Sequence, residues 1–281
     1  MAYSVSHLKL GRRVAGSFAP PGAAEARALF LAGCLGPDVF FYDRLPPPLF
    51  RRHTKKTVGN AFHNMDAALW WKHCRPFAED TLLRPYLAGL LCHFALDAAV
   101  HPYICSVAQG AEHTRLEARI DSLLFSQADG ELYPLRALDL PALRAIDAFW
   151  QGLSPALLPI GHKNAYIRSY RNFRFFSRLS FDGTGRKLRF VLGLEKLFGR
   201  TGLISGFLVS TRAIFEGDIL NLQRAAWAAP WKPEELRNES YMGLYESACE
   251  EAAELVRWLY NKEEDEIATR LRDRSMQKGT L

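Results

Sequence analysis

The sequence predicts an all-α fold, a multi-helix bundle, on three observations. Apolar residues recur at three-to-four spacing through most of the chain, which is the period of an amphipathic helix. No run alternates apolar and polar residues in the manner of a half-buried strand, and no Asn-Gly pair marks a tight hairpin. Proline and glycine fall mainly between the periodic segments, where they punctuate helices.

Taken in order, a first helix is expected over Ala23–Leu35, closed by Gly36-Pro37, with the "RLPPP" of 44–48 as a loop. A second is expected over Gly59–His73. A third spans Leu83–His101, where Pro102 cannot donate the next backbone hydrogen bond and is read as the end. A fourth covers Gly110–Leu124, followed by the polar "SQADGELYP" of 126–134. Further helices are expected over 141–152, 163–179, 185–198, 203–227 and 240–272, with Pro230 and Pro233 in the loop before the last. In that last helix Leu244, Ala248, Ala252, Leu255 and Leu259 line one face, so it packs on a core.

The 281 residues, 48% of them hydrophobic, suffice for a large core, and one domain over 1–281 is expected. The unusual side chains lie in 1–125, and 126–281 reads as helical scaffold. No stretch reaches about 18 uninterrupted apolar residues, the length of a membrane-spanning helix. The N-terminus lacks the basic-then-apolar order of a signal peptide, so a cytoplasmic location is expected. Five cysteines with no CxxC pair read as reduced core residues. A net charge of +6 leans toward anionic partners such as phosphate groups or membrane surfaces.

The stretch "LLCHFALDAAVHPY" carries His93, Asp97 and His101 four residues apart inside the most apolar segment. On a helix such residues share one stripe, each turned by about 40° from the last. An ionised Asp97 buried there alone would cost several kcal/mol, and a metal cation would resolve that cost. His113 and Glu117, with Asp121, repeat the device on the next helix. His63 comes from "FHN", Asp38 from "GCLGPD", and His7 from near the N-terminus. Five histidines and three carboxylates, with no cysteine, favour zinc or a similar divalent metal. Eight ligands exceed the four of one tetrahedral zinc and suggest two or three ions sharing carboxylates. Clustered metals suit phosphoester chemistry.

Blander readings stand beside this one. A single histidine on an apolar face is more often a satisfied core residue, and His93 over Asp97 can be a plain ion pair. Asp121 reads better as a cap or as a partner of Arg115 or Arg119 than as a ligand. His53, His73 and His162 lie in polar surroundings and read as surface residues. The run "YIRSYRNFRFFSRLSF" of 166–181 reads first as an amphipathic helix with a solvated basic face, and second as a basic, aromatic face that meets phosphate or a membrane surface.

In order and type these motifs ("GCLGPD", "FHN", "HFALDAAVHPY", "EHTRLEARID") resemble the zinc-dependent phospholipase C family, which shares its all-helical fold with single-strand nucleases of the S1/P1 type. The resemblance covers residues 1 to 125. It implies one zinc on Asp38, His63, His93 and Asp97, and a second on His101, His113 and Glu117. A third would be bridged by Asp97 and bound by His7. It also implies attack of a metal-bound water on phosphorus, with Asp38 as general base and a phosphorylated head group as product. The implied substrate is a phosphodiester, a phospholipid head group before nucleic acid. The alternatives are a nuclease or nucleotidase of the related fold and a helical metal-binding protein without turnover. The sequence departs from secreted members in having no N-terminal tryptophan, in the four-residue step from Asp97 to His101, and in Val39 where a choline-selective member carries tyrosine.

Overall fold

The computed structural model describes residues 4–17, 24–43, 58–125, 137–199 and 202–280. The "RLPPP" loop, His53 and the "SQADGELYP" stretch lie outside the described residues. The chain is all-α, as expected. Its helices are α1 (Val5–Ser17), α2 (Ala24–Cys34), α3 (Val58–His63), α4 (Ala67–Cys74), α5 (Leu83–Val107), α6 (Ala111–Leu124), α7 (Leu140–Leu157), α8 (Ala165–Ser180), α9 (Arg186–Leu197), α10 (Tyr241–Asn261) and α11 (Glu264–Leu271). Among the described residues, strands are confined to two-residue pairs: parallel β1 (Phe181–Asp182) with β2 (Val209–Ser210), and antiparallel β3 (Arg274–Ser275) with β4 (Gly279–Thr280).

α5 is the axis of the fold. It is apolar around most of its surface and is enclosed chiefly by α2 and α10. It is long and apolar enough to cross a bilayer, but 83% of its most apolar window is buried inside the protein, where it acts as the core helix. Around it Phe40, Phe62, Trp70, Tyr86, Phe149, Trp150 and Tyr166 pack largely edge-to-face, the arrangement that ring quadrupoles favour. The Trp150 indole N–H donates to the Tyr86 hydroxyl at 2.8 Å, which ties α7 to α5 inside this cluster.

The structure corrects several boundaries. The helix expected over 59–73 is two helices, broken at 64–66, where Asp66 caps α4 by accepting from the Leu69 N–H at 3.1 Å. α5 does not stop at His101; it runs through Pro102 to Val107. The carbonyl that Pro102 leaves without a helical donor is that of Ala98, and β4 closes over it: a Cβ on Gly279 would stand 2.7 Å from this oxygen and 3.5 Å from the Pro102 ring. Residues 203–227 hold no α-helix but a 3₁₀ turn at Ser205–Phe207, β2 and, at Trp227, a β-bridge to Arg237. Local side-chain bonds compete with the helix there. Asp218 accepts from the N–H groups of Leu222 and Gln223, and the Asn221 amide donates to the carbonyls of Ala225 and Glu239. The helix expected over 240–272 breaks at Lys262, whose φ is +62°.

α1 was not expected. Its sequence is mixed, but Val5, Leu8 and Val14 are buried, and its free N–H groups find their acceptor on another helix. Asp121 of α6 accepts from the N–H of Val5 at 2.7 Å and of Ser6 at 3.0 Å. Asp121 is therefore a cap, as its sequence context favoured, and through it α6 fixes the helix that carries His7.

Candidate metal centre

Five elements converge on one point inside the bundle. α5 presents His93, Asp97 and His101 along one stripe. The chain after α2 tightens into a 3₁₀ helix, Gly36–Tyr42, which buries Asp38 in its first turn. Gly36 is required there twice over: its φ is +48°, and a Cβ would meet the His93 ring at 2.7 Å. α3 delivers His63 at its last residue, α6 delivers His113 and Glu117, and α1 delivers His7.

The distances define two groups. Donor atoms of Asp38, His63, His93 and Asp97, all buried, lie within 4.8 Å of one another, as do those of His101, His113 and Glu117. In the first group His63 Nε2 is 3.0 Å from Asp38 Oδ1 and 3.1 Å from Asp97 Oδ2. His93 Nε2 is 3.1 Å from Asp97 Oδ2, 3.8 Å from Asp38 Oδ1 and 3.5 Å from His63 Nε2. In the second, Glu117 Oε1 stands 3.2 Å from His113 Nε2 and 3.6 Å from His101 Nε2. His7 joins through the carboxylates, its Nε2 being 3.2 Å from Asp97 Oδ1 and 3.9 Å from Asp38 Oδ2. Its ring stacks on His93 at 4.3 Å. Asp38 and Asp97 thus each turn one oxygen to the His63–His93 pair and the other to His7. A cavity of about 20 Å³, lined by His7, Asp97, His101, Glu117 and Tyr241 among others, lies beside them.

The orientation of the rings was not readable in the sequence. Nδ1 of His63 faces the Gly59 carbonyl at 2.7 Å, that of His93 the Cys34 carbonyl at 3.0 Å, and that of His101 the Met276 carbonyl at 2.9 Å. A carbonyl only accepts, so each Nδ1 carries the proton, and in the neutral ring each Nε2 turns a lone pair inward. Met276 belongs to the segment between β3 and β4, where the Gln277 N–H also donates to the His63 carbonyl at 3.0 Å. The C-terminal segment therefore straps two histidines in place. Backbone carbonyls carry no residue signature, so the pattern gave no sign of them.

Among the described residues, two further histidines and one acid fall outside the centre. His73 is half-buried on α4, and His162 pairs with Asp43 at 3.1 Å. Asp66, one turn beyond His63, serves only as the α4 cap.

Residues 6–156, more than half of the chain, match the family model described as zinc dependent phospholipase C. The chain belongs to the zinc-dependent phospholipase C family. No curated protein and no solved structure matches it. The family match runs from α1 into α7 and contains all eight residues of the converging set, whereas the Met276 strap lies beyond it.

The residues fit the ion the family name implies. A tetrahedral zinc at about 2.05 Å holds its donors about 3.3 Å apart, and the five donor separations given for the first group run from 3.0 to 3.8 Å. Asp38 Oδ1 and Asp97 Oδ2 are buried and meet no hydrogen bond of acceptable geometry. Lone pairs that converge without N–H groups aimed at them suit a shared cation better than a network of hydrogen bonds.

Without metal, the cluster holds itself together by charge. Burial alone would keep the histidines neutral, but Asp97 and Asp38 outweigh it, raising His63 to about 10 and His101, beside Asp97 and Glu117, to about 9. His7 and His113 are raised against the same burial. Asp97 and Glu117 are held below the usual carboxylate range, against burial, by the imidazoles around them. A histidine raised in the folded state contributes stability that is complete below its unfolded pKa near 6.5 and lost as pH rises through the folded value. The chelated protein is therefore expected to lose thermal stability from about pH 7 to 10. Zinc must displace these protons, so the stabilisation it adds is expected to grow over the same window. Melting curves at pH 6, 8 and 10 with and without chelator check both slopes; a chelated protein that melts higher at pH 10 than at pH 6 would contradict the assignment.

Proposed function

We propose that this chain is a zinc-dependent hydrolase of phosphodiesters that releases a phosphorylated head group, with a phospholipid-type ester as substrate. The observation that carries this reading is the pair of donor groups, Asp38–His63–His93–Asp97 and His101–His113–Glu117, set side by side with His7 on the shared carboxylates. Zinc held by these residues would supply Lewis-acid activation of water and stabilisation of charge on a phosphoryl oxygen.

The chain's own residues do the rest. Asp38, buried in the 3₁₀ turn, would take the proton of the attacking water. The Nδ1 bonds to carbonyls hold the His63, His93 and His101 rings in one tautomer and one orientation. The apolar sides of α5 keep bulk water from the cluster and strengthen its electrostatics. His113 and Glu117, with side chains 21% and 14% exposed, are the most open of the eight, so substrate approaches on the α6 side.

Asp38→Asn keeps one oxygen donor but cannot take a proton, and kcat is expected to fall by about 10²–10⁴-fold. Wild-type turnover in that variant would remove Asp38 from the base role. The broader test incubates the zinc-loaded protein with a short-chain phospholipid, a nitrophenyl phosphodiester and single-stranded DNA. Hydrolysis of the lipid ester, abolished by chelator, is expected; preference for DNA would move the function to a nuclease. A second reading, metal binding without turnover, draws on the burial of the cluster around a cavity of only about 20 Å³. Full zinc loading with no turnover on any substrate would select it.

A further inference from the structure

The chain from Ala165 to Gly199 holds eight Arg or Lys and two carboxylates, a surplus equal to the whole formal net charge of +6. Both carboxylates are buried and spent on backbone donors: Asp182 accepts from Leu188 at 2.9 Å, and Glu195 from Gly202 and Ser205, each at 2.9 Å. Arg168 pairs with Asp43 at 2.7 Å; the other cations leave the outer surface of α8 and α9 positive, with no exposed acid from either helix.

That surface is also apolar. α9 turns Leu188, Val191 and Glu195 inward, while Phe190, Leu194, Leu197 and Phe198, at i, i+4, i+7 and i+8, form a second stripe that faces water. Phe190 is 67% exposed, Leu197 76% and Phe198 71%. Arg186, Arg189 and Lys196 flank the stripe. On α8, Phe175 and Leu179 are exposed beside Arg171 and Arg178. The two helices are tied together where Lys187 donates to the Arg178 carbonyl at 2.6 Å and the Phe181 carbonyl at 2.8 Å. Glu195 also folds the following loop back so that Leu203 and Ile204 extend the apolar edge. That loop leads into the 3₁₀ turn Ser205–Phe207, which packs on α6 with Arg115 over the Phe207 ring at 5.3 Å, two residues from both His113 and Glu117.

We propose that the outer face of α8 and α9, with the 202–207 loop, docks the protein on an anionic phospholipid membrane with the α6 side of the metal centre toward the lipid. Exposed Phe and Leu flanked by Arg and Lys match an interface that is anionic at head-group level and apolar beneath it. Nucleic acid would match the charge but leave the aliphatic side chains in water. The placement over the metal centre rests on the phospholipase reading; the docking itself rests on burial and charge.

The test is flotation of the zinc-loaded protein with vesicles of phosphatidylcholine alone and of phosphatidylcholine mixed with phosphatidylglycerol. Binding is expected only with the anionic lipid and is expected to fall with salt. A loss of about tenfold or more is expected both in R186E/R189E and in F190S/L197S/F198S. All substituted side chains are exposed, so circular dichroism and hydrolysis of a soluble phosphodiester should stay as in the wild type. Equal binding by both variants, absence of binding by the wild type, or self-association that the triple variant abolishes would each overturn the proposal. Vesicle binding without any hydrolysis would sink the enzymatic reading and leave the docking face standing; hydrolysis of the soluble ester without vesicle binding would do the reverse.

Discussion

Asp97→Asn is expected to lose its zinc, and Asp97→Ala to be destabilised as well. Among the described residues, Asp97 is the one carboxylate in reach of four histidines: His7 at 3.2 Å, His63 and His93 at 3.1 Å, and His101 at 3.9 Å. Asparagine preserves the shape but removes the charge that holds the imidazoles and any cation among them. Zinc content should drop by at least one ion per chain, and hydrolysis should fall with it by about two orders of magnitude or more. Alanine leaves buried, partly protonated rings without their counter-charge, a change that costs about 3–5 kcal/mol when one partner of a buried pair is removed. Elemental analysis and denaturant unfolding read the two effects separately. Zinc at the wild-type level in both variants would show that Asp97 is only an ion-pair partner.

The second large effect lies away from the centre. At the crossing of α2 and α5, Gly33 faces Gly89, and the backbones touch. A Cβ on Gly89 would lie 2.0 Å from the Phe30 carbonyl oxygen and 2.6 Å from the Cys34 nitrogen; one on Gly33 would lie 2.0 Å from the Tyr86 carbonyl oxygen. These neighbours are backbone, with no rotamer to yield, so Gly89→Ala must push the helices apart. A destabilisation of about 3 kcal/mol or more is expected, at the upper end of overpacking costs. The same displacement would separate the Cys34 carbonyl from His93 and shift Asp38 against α5, so zinc affinity should weaken too. Gly16→Ala is the control: nothing lies within 4 Å of its Cβ position, and helix propensity predicts a gain of up to about 1 kcal/mol. A Gly89→Ala protein as stable as this control would contradict the close approach.

The legibility of the sequence followed the range of the interactions. α2, α6, α8, α9 and α10 were readable because their periodicity is local and strong. The shared faces of His93, Asp97 and His101 and of His113 and Glu117 were readable because helices turn fixed spacings into stripes; Asp38, His63 and His7 came singly from their motifs, and the fold sets all eight side chains near one another. α1 was missed because the group that completes its first turn, Asp121, is more than a hundred residues away. Pro102 misled because its rule is local, while the gap it opens is covered by the far end of the chain. Residues 203–227 misled in the opposite direction: their apolar residues fall near helical spacing, but Asp218 and Asn221 capture the backbone first. The strap at Met276 acts through a carbonyl and left no trace in residue type.

Zinc stoichiometry decides most directly whether the eight residues form one metal cluster. Elemental analysis of the zinc-saturated, dialysed protein is expected to give at least two zinc ions per chain. His93→Ala should remove the ion of the first group and His113→Ala that of the second, each leaving the other. A wild-type protein that retains no zinc, or a content unchanged in both variants, would contradict the cluster and the function built on it.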